Sequence, residues 1–134
     1  MASGEPSTTP QGELMLRVIA SPADISEKNY IFGGWIMGQM DIAASLCAYR
    51  HAGIKVLTVA VNNITFLKPM FVTDEITAYA RVMEIKRTSM VVGVELWIRT
   101  TRDPVPVLGT TGSFVFVAID EATWKPVEIK NRNF

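Results

Sequence analysis

The sequence predicts a two-layer α+β domain, in which a curved antiparallel sheet of about five strands wraps around one long central helix. Three observations support this prediction. A long apolar segment from about Gly33 to Ala52 carries a single acidic residue, Asp41. One β-like run precedes this segment and four follow it. The connections between the last four runs are short, which favours antiparallel pairing.

The central helix is indicated by its C-terminal end as well as by its composition. Gly53 suits the left-handed position just past a helix, and Arg50 and His51 precede it, where cations interact favourably with the negative helix end. The segment is apolar on every face, so we expect the helix to be buried all round. A membrane-spanning helix is disfavoured, because an aspartate near its centre would cost about 2.5–3.5 kcal/mol on insertion.

The strands are predicted from alternating apolar residues. They are Leu14–Ile19, Leu57–Leu67, Ile76–Ile85, Val92–Ile98 and Val107–Ile119. Within the second of these runs the apolar residues change from odd to even positions at Asn62-Asn63, which predicts a bulge or a change of face there. The "KRTS" segment, residues 86–89, is expected to be a hairpin link.

Length and charge limit the classes of protein that the chain can be. The 134 residues predict one domain over residues 13–121, with a flexible N-terminal tail at 1–12 and a C-terminal tail at 122–134. A net charge of zero argues against a general nucleic-acid-binding protein. The single cysteine, Cys47, allows no internal disulfide, and the N-terminus has no secretory pattern, so we expect a cytoplasmic protein. No cluster of ligands in the sequence suggests a metal site.

Several short motifs, in their order and spacing, resemble the YciA-like acyl-CoA thioesterases, which have the hotdog fold. These motifs span roughly residues 13–120: Pro22–Asp24, Ile31–Asp41 ("IFGGWIMGQMD"), Ile64–Pro69, Arg87–Met90, Val94–Trp97 and Phe116–Asp120. The resemblance implies hydrolysis of acyl-CoA to a free acid and CoA in fatty acid metabolism, without a metal or cofactor. It also implies a catalytic carboxylate at Asp41, a backbone oxyanion site at the helix start, and dimers often assembled into hexamers.

This chain departs from the family pattern in the loop before the double glycine. The family usually has an Asn and, three residues on, a Gly, where this chain has Ser26 and Asn29, and Tyr30 follows where a small or polar residue is usual. The departure leaves open which loop side chain assists the thioester. Ser26 and Asn29 are both candidate hydrogen-bond donors.

The residues of the apolar segment suit thioester hydrolysis on chemical grounds. Free N–H groups at a helix start carry partial positive charge, and Gly33 and Gly34 let a carbonyl oxygen approach them closely. Asp41 would act as general base on water or as nucleophile on the carbonyl, and Ser45, one turn later, would orient the water or the carboxylate. The alternatives are glycines that only permit close helix–sheet contact, a structural acid paired with a distant cation, and a serine bonded to a backbone carbonyl.

Helix geometry predicts that the site needs two subunits. Gly33 and Asp41 are eight residues apart, which is roughly 12 Å along a helix. A reacting carbonyl needs both groups within about 3 Å. One helix therefore cannot supply both, and two antiparallel helices related by a two-fold axis would give two equivalent sites per homodimer.

Substrate-binding residues are assigned by chemistry. The basic candidates for the CoA phosphates are Lys68, Arg87 and Arg81. Thr88 and Ser89 are candidates for the pantetheine or a phosphate, and Asn63, at the predicted bulge, is a further candidate for substrate binding. The candidates for the acyl chain are Phe32, Met37, Met40 and Phe66. Surface charge, a hairpin turn and core packing are the alternative roles. Two other functions stay open: a non-catalytic module that binds acyl-CoA or lipid, and a thioesterase acting on acyl carrier protein.

Overall fold

The computed structural model describes residues 9–20 and 30–134, which form one sheet and one helix. In chain order the elements are β1 (Glu13–Val18), α1 (Gly33–Ala52), β2 (Val56–Phe66), β3 (Glu75–Ile85), β4 (Ser89–Arg99) and β5 (Val107–Ala118). The predicted α+β class, with five antiparallel strands and a single long helix, is confirmed. No helix in these two ranges is long and apolar enough to cross a membrane.

The sheet has the order β1-β3-β4-β5-β2, and every neighbouring pair is antiparallel. The strands β1 and β2 are therefore its two edges. Alternate residues of the central strand β4 point towards the helix and are almost completely buried: Met90, Val92, Val94, Leu96 and Ile98. The core lies between this face of the sheet and α1.

The helix has the predicted bounds and the predicted C-terminal cap. Gly53 has a φ of 71°, in the left-handed region, and its N–H donates to the Tyr49 carbonyl at 2.8 Å. Arg50 and His51 occupy the last turn. The Nε2 atom of His51 lies 2.9 Å from the carbonyl oxygen of Asn131, which ties the helix end to the C-terminal segment.

The expectation that the helix is buried all round is wrong for the single chain. One face packs on the sheet through Ile36, Met40, Ala43, Ala44 and Ala48. The opposite face exposes Ile42, Leu46 and Tyr49 to 50%, 41% and 55% of their surface. The physical reason is that a single sheet of five strands covers only one side of a helix.

The edge strand β2 contains the predicted bulge. Its register against β5 shifts between Asn62 and Thr65, and Asn63 has a φ of 55°. Asparagine is among the few residues that adopt this left-handed conformation readily. A second shift, between Thr58 and Ala60, was not indicated by the apolar pattern.

The predicted strands agree with the observed ones in number and differ only at their ends. The β4 strand is longer than predicted, and Leu67 and Ile119 fall just outside β2 and β5. The predicted hairpin link is confirmed, since the N–H of Lys86 donates to the carbonyl of Ser89 at 2.8 Å.

The C-terminal segment, residues 122–134, is not wholly a surface tail. Ile129 is completely buried within the core cluster. Its N–H donates to the Arg87 carbonyl at 2.8 Å, so the segment is fixed to the β3–β4 hairpin. The apolar side chain of Ile129 accounts for this placement, because the polar residues around it stay exposed. The proposed domain bounds stay predictions.

Candidate active site

Within the described residues, the start of α1 presents backbone donors without an acceptor, next to open space. The first N–H bonded within the helix is that of Ile36, which donates to the Phe32 carbonyl at 3.1 Å. The N–H groups of Gly33 and Gly34 precede it and have no intrahelical acceptor. Both glycines are exposed, and a Cβ built on Gly34 would meet nothing within 4 Å. The glycines are thus not required for close helix–sheet contact, which was the alternative role.

A cavity of about 350 Å³ opens beside Gly33, between the helix start and the segment that follows β2. Its walls are formed by Tyr30, Gly33, Phe66, Leu67, Lys68 and Pro69. Its floor is formed by Ile31, Ile36 and Met70, which are all buried. Among the described residues that line the cavity, only Lys68 is charged. The cavity is thus an apolar recess with a cation at its rim.

The structure separates the residues assigned to the acyl chain. Phe66 and Lys68 line the cavity, but Phe32 and Met37 are not among its lining residues. Met40 is completely buried in the core, so its assignment to an acyl groove is wrong. The reason is that Met40 lies on the helix face that packs on the sheet.

Asp41 is half-buried and held by a partner that the sequence interpretation missed. The hydroxyl of Thr58 donates to Oδ1 of Asp41 at 2.7 Å. Thr58 is paired with the buried Phe116 across β2 and β5, so its side chain faces the helix. None of the ion pairs among residues 9–20 and 30–134 includes Asp41, which argues against a structural acid paired with a cation.

Thr58 was not predicted, because the apolar residues Leu57 and Val59 indicate that the odd positions of this strand face the core. Leu57 pairs with Val117, on the face away from the helix. The available signal was a hydroxyl residue two positions after Val56, which packs against the core, because alternate residues of a strand share a face. A hydroxyl group on that face favours a polar partner on the helix, and Asp41 is that partner.

Asp41 and the helix start are at different places in the single chain, as predicted from helix geometry. Thr58 pairs with Phe116, whereas Phe66, whose ring lies 3.5 Å from a Cβ built on Gly33, pairs with Thr110. These positions on β5 are six residues apart, or roughly 20 Å. One subunit therefore does not bring the carboxylate to the free N–H groups.

The candidate CoA-binding residues are divided between two ends of the sheet. The N–H of Lys68 donates to the Gly109 carbonyl, and the carbonyl of Thr88 accepts from the N–H of Ala118. Gly109 and Ala118 are nine residues apart on β5, which is about 30 Å. Arg87 and Ser89 lie with Thr88 at the end remote from the cavity.

The remaining candidates are placed as follows. Ser45 is half-buried, one helical turn beyond Asp41. Asn63 is exposed in the bulge of β2, where its carbonyl accepts a hydrogen bond from the Thr65 hydroxyl at 3.4 Å. Ser26 and Asn29 lie outside the described residues.

Cys47 is unsuited to act as a nucleophile. Burial raises the pKa of its thiol, and the negative charge of Glu13 adds to this effect, while Arg50 opposes it. The thiol is therefore protonated at neutral pH, and thiolate is the reactive form. Among the described residues no group of three or more His, Cys, Asp or Glu side chains is arranged to hold a metal ion.

Comparison with known proteins identifies the family. The profile of the thioesterase superfamily matches residues 28–105. An uncharacterized acyl-CoA thioester hydrolase of Zymomonas mobilis is 47% identical over 112 residues, covering 84% of this chain and 75% of that protein. The acyl-CoA thioester hydrolase YciA of Salmonella typhimurium is 41% identical over 115 residues, covering 84% of this chain and 86% of that protein.

The fold agrees with a solved structure of the same family. The hexameric thioesterase of Yersinia pestis superposes with a TM-score of 0.86 and 38% sequence identity, covering 90% of this chain and 98% of that one. The hotdog fold implied by the motifs is thereby confirmed. The chain belongs to the thioesterase superfamily, in the family of the YciA-like acyl-CoA thioester hydrolases.

Proposed function

We propose that this protein hydrolyses acyl-CoA thioesters to a free carboxylic acid and CoA, with Asp41 and the helix start as its catalytic groups. The observation that carries the proposal is the apolar cavity beside the free N–H groups of Gly33 and Gly34. A thioester bound there would have its carbonyl oxygen at the donors and an apolar space next to it. The relatives named acyl-CoA thioester hydrolases support the choice of substrate.

The catalytic unit is a homodimer in which each site takes Asp41 from one subunit and the helix start from the other. Two features support this arrangement. The edge strand β2 exposes Val59, Val61 and Phe66 at an unpaired sheet edge. The helix face carrying Ile42, Leu46 and Tyr49 is exposed on the same chain. Pairing of two β2 edges would set two helices side by side and antiparallel.

A hexamer built from three such dimers is the assembly that we propose. The Yersinia pestis thioesterase, similar over most of both chains, is described as hexameric. In the antiparallel dimer, the β3–β4 hairpin of one subunit reaches the end of the sheet where the other subunit has its cavity. Arg87, Thr88 and Ser89 would thus join Lys68 around the CoA phosphates and pantetheine.

The reaction has two possible routes that share the same groups. As a general base, Asp41 takes a proton from water, and the hydroxide attacks the thioester carbonyl. The electron pair of the C=O bond moves to the oxygen, where the N–H groups of Gly33 and Gly34 stabilise the charge. Collapse of this intermediate breaks the C–S bond and releases CoA, which regains a proton. As a nucleophile, Asp41 attacks directly and forms an anhydride that water then hydrolyses.

Thr58 and Ser45 assist in this scheme. The Thr58 hydroxyl is bonded to Oδ1 of Asp41, so Oδ2 is the oxygen left for water or for the carbonyl. Ser45, one turn beyond, orients the water. Ser26 or Asn29 would add a donor from the loop before the helix. We expect no metal or other cofactor to be needed, because carboxylate and backbone groups supply base and oxyanion stabilisation.

The test is thiol release from a panel of acyl-CoA thioesters by the wild type, Asp41→Asn and Asp103→Asn. Asp103 is an exposed loop carboxylate and serves as the matched control. We expect Asp41→Asn to lose at least about a hundredfold in kcat, since general acid–base catalysis contributes about 10²–10⁴-fold. Absence of turnover with every acyl length would refute the proposed thioesterase activity. Undiminished activity in Asp41→Asn would refute the mechanism alone.

The same panel addresses the two other functions. A non-catalytic module would bind acyl-CoA without releasing thiol. A thioesterase for acyl carrier protein would be faster on that carrier than on CoA with the same acyl group. Lys68 and Arg87 suit either carrier, since both present a phosphopantetheine group.

A further inference from the structure

We propose that the exposed ring of Trp124, together with Lys55, binds the adenosine 3′-phosphate end of CoA and so favours CoA over acyl carrier protein, which has no purine. This inference rests on the proposed function, because it takes an acyl thioester as the substrate. It adds two residues to those already assigned to substrate binding. It also distinguishes two carriers that share the phosphopantetheine group.

The backbone of Trp124 has a conformation that is unfavourable for a large side chain. Its φ is 60°, in the left-handed region that glycine adopts readily and bulky residues rarely adopt. The turn that begins at Asp120 holds it there, since the N–H of Trp124 donates to the Asp120 carbonyl at 2.7 Å. Oδ1 of Asp120 accepts two more bonds, from the N–H groups of Ala122 and Thr123 at 2.8 and 3.0 Å. Backbone strain that is fixed in this way is frequent at functional sites.

Burial of the indole ring does not offset this strain. Trp124 has 59% of its surface exposed, so most of the free energy available from burying an aromatic side chain is not gained. The Nζ atom of Lys55 lies 5.1 Å from the ring centre, within the range of a cation–π contact. Because the residue stays mostly exposed although Lys55 meets one face, the opposite face is open to solvent. An open aromatic face is the kind of surface on which nucleobases stack.

Two cations near this ring have no carboxylate partner. None of the ion pairs within residues 9–20 and 30–134 includes Lys55 or Arg87. The N–H of Ile119 donates to the Lys55 carbonyl at 2.9 Å, and the N–H of Ile129 donates to the Arg87 carbonyl at 2.8 Å. The two cationic residues are thus bonded to the two ends of the segment that contains Trp124. Unpaired cations beside an open aromatic ring suit a ligand in which phosphates are attached to a planar base.

The ring lies beside the β3–β4 hairpin that the proposed function assigns to CoA. The chain from Trp124 to Ile129, which is bonded to Arg87, can span at most about 18 Å. One CoA molecule is long enough to contact both Arg87 and Trp124, with its phosphates at the arginine and its adenine at the ring. The turn follows the end of β5, so the ring does not belong to the β2 edge at which the proposed dimer forms.

The two carriers differ beyond the phosphopantetheine group that they share. CoA continues to a purine and a 3′-phosphate, and acyl carrier protein continues to a folded protein surface. The indole face of Trp124 can stack on a purine. The ammonium group of Lys55 ends a flexible four-carbon chain and can reach a phosphate at the edge of the ring. These two residues therefore favour CoA.

The ring is tested by titration calorimetry with adenosine 3′,5′-bisphosphate. We expect Trp124→Gly to raise Kd about 5- to 100-fold, the range that loss of one base–aromatic stack gives. Trp124→Phe keeps a flat face and should keep most of the affinity. Glycine adopts the left-handed conformation readily, so the turn should fold as in the wild type. An unchanged Kd in Trp124→Gly overturns the proposal, as does a changed mass in light scattering, which would place the ring in a contact between subunits.

The role of Lys55 is tested by comparing adenosine 3′,5′-bisphosphate with ADP, which lacks the 3′-phosphate. The wild type should bind the bisphosphate at least about tenfold more tightly, since hydrogen bonds to charged groups are strong. Lys55→Gln should lose this preference. The control is Arg17→Gln, which removes an exposed cation from the β1 edge and should keep the preference. Equal binding of the two nucleotides by the wild type overturns the role of Lys55, as does an equal preference in the two variants.

The choice of carrier is tested by thiol release from one acyl group on CoA, on pantetheine and on acyl carrier protein. Trp124→Gly should raise KM for the acyl-CoA about 5- to 100-fold and leave kcat unchanged. Its activity on the other two thioesters should equal that of the wild type, because neither contains a purine. An equal loss on all three would indicate a disturbed catalytic site and would overturn the inference.

Failure of this inference is distinguishable from failure of the proposed function. Binding of adenosine 3′,5′-bisphosphate does not depend on catalysis by Asp41. A Kd that Trp124→Gly raises supports the nucleotide site even if no thioester is hydrolysed. Conversely, hydrolysis with a KM for acyl-CoA that Trp124→Gly leaves unchanged supports the enzyme and overturns the nucleotide site.

Discussion

The two edges of the sheet differ in a way that indicates where a partner binds. The β1 edge is six residues long and carries Glu13 and Arg17, which form ion pairs with Arg50 and Glu75. The β2 edge is eleven residues long and has no charged residue in its sequence. Charges and short length protect a sheet edge from pairing with another chain, and a long apolar edge invites it. The comparison favours β2 over β1 as the interface of the proposed dimer.

The largest effect should come from a charge on the β2 edge. We expect Val59→Lys to separate the subunits and to lower kcat/KM by at least about a hundredfold, since the isolated subunit lacks the oxyanion donors of its partner. Light scattering would give the mass and thiol release the activity. The control is Leu14→Lys on β1, a residue that is also exposed. If Leu14→Lys dissociates the protein and Val59→Lys does not, the dimer interface lies at β1 and not at β2.

A second effect tests whether the site is shared. Asp41→Asn lacks the carboxylate, and Gly33→Val shields the helix start with a branched side chain. Each alone should be nearly inactive. When the two are unfolded and refolded together, half of the dimers are mixed and each has one intact site, so activity should recover to about a quarter of the wild type. No recovery, despite mixed dimers seen by mass spectrometry, would mean that each site lies within one subunit.

A smaller effect concerns the partner of Asp41. Thr58→Val keeps the shape and removes the hydroxyl that donates to Oδ1. A hydrogen bond to a charged group contributes about 1.5–3 kcal/mol, so kcat should fall about ten- to a hundredfold with little change in KM. Thr65→Val, at an exposed position of the same strand, should keep the wild-type kcat. An equal fall in both variants would indicate a general disturbance of β2 instead of a role at Asp41.

The smallest effect is expected on the protected β1 edge. Glu13→Gln removes the ion pair with Arg50, in which both side chains are more than half exposed. The free energy of unfolding in urea should change by no more than about 1 kcal/mol. Because the charge of Glu13 raises the pKa of the Cys47 thiol, its removal should lower that pKa and increase the rate of alkylation at pH 8. A slower rate in Glu13→Gln would contradict the sign of this interaction.

Much of the fold was predictable because its signals are local. The apolar run, the cap at Gly53 and the change of apolar phase at Asn62-Asn63 each depend on neighbouring residues, and the helix bounds and the bulge were confirmed. The distance between Gly33 and Asp41 was predictable too, since it follows from the helical rise between them.

The rest depended on contacts between distant residues. Thr58 was missed because its role depends on a carboxylate seventeen residues away that only the packing of α1 on β2 brings close. The cavity was missed for the same reason, since its lining residues Tyr30 and Met70 are brought together by the bridge between Tyr30 and Phe71. The exposure of Leu46 and Tyr49 could not be predicted, because apolar composition does not show whether a sheet or a partner covers a face.

The position of β5 within the sheet has a consequence for biosynthesis. Strand β2 ends some forty residues before β5 begins, yet β5 is its one neighbour among the described strands of the sheet. During translation, β2 therefore leaves the ribosome long before the strand that fixes its register. Until β5 is available, both edges of β2 are unpaired and open to contact with neighbouring nascent chains on the same messenger. Addition of β5 covers one of these edges and leaves the other for the proposed partner.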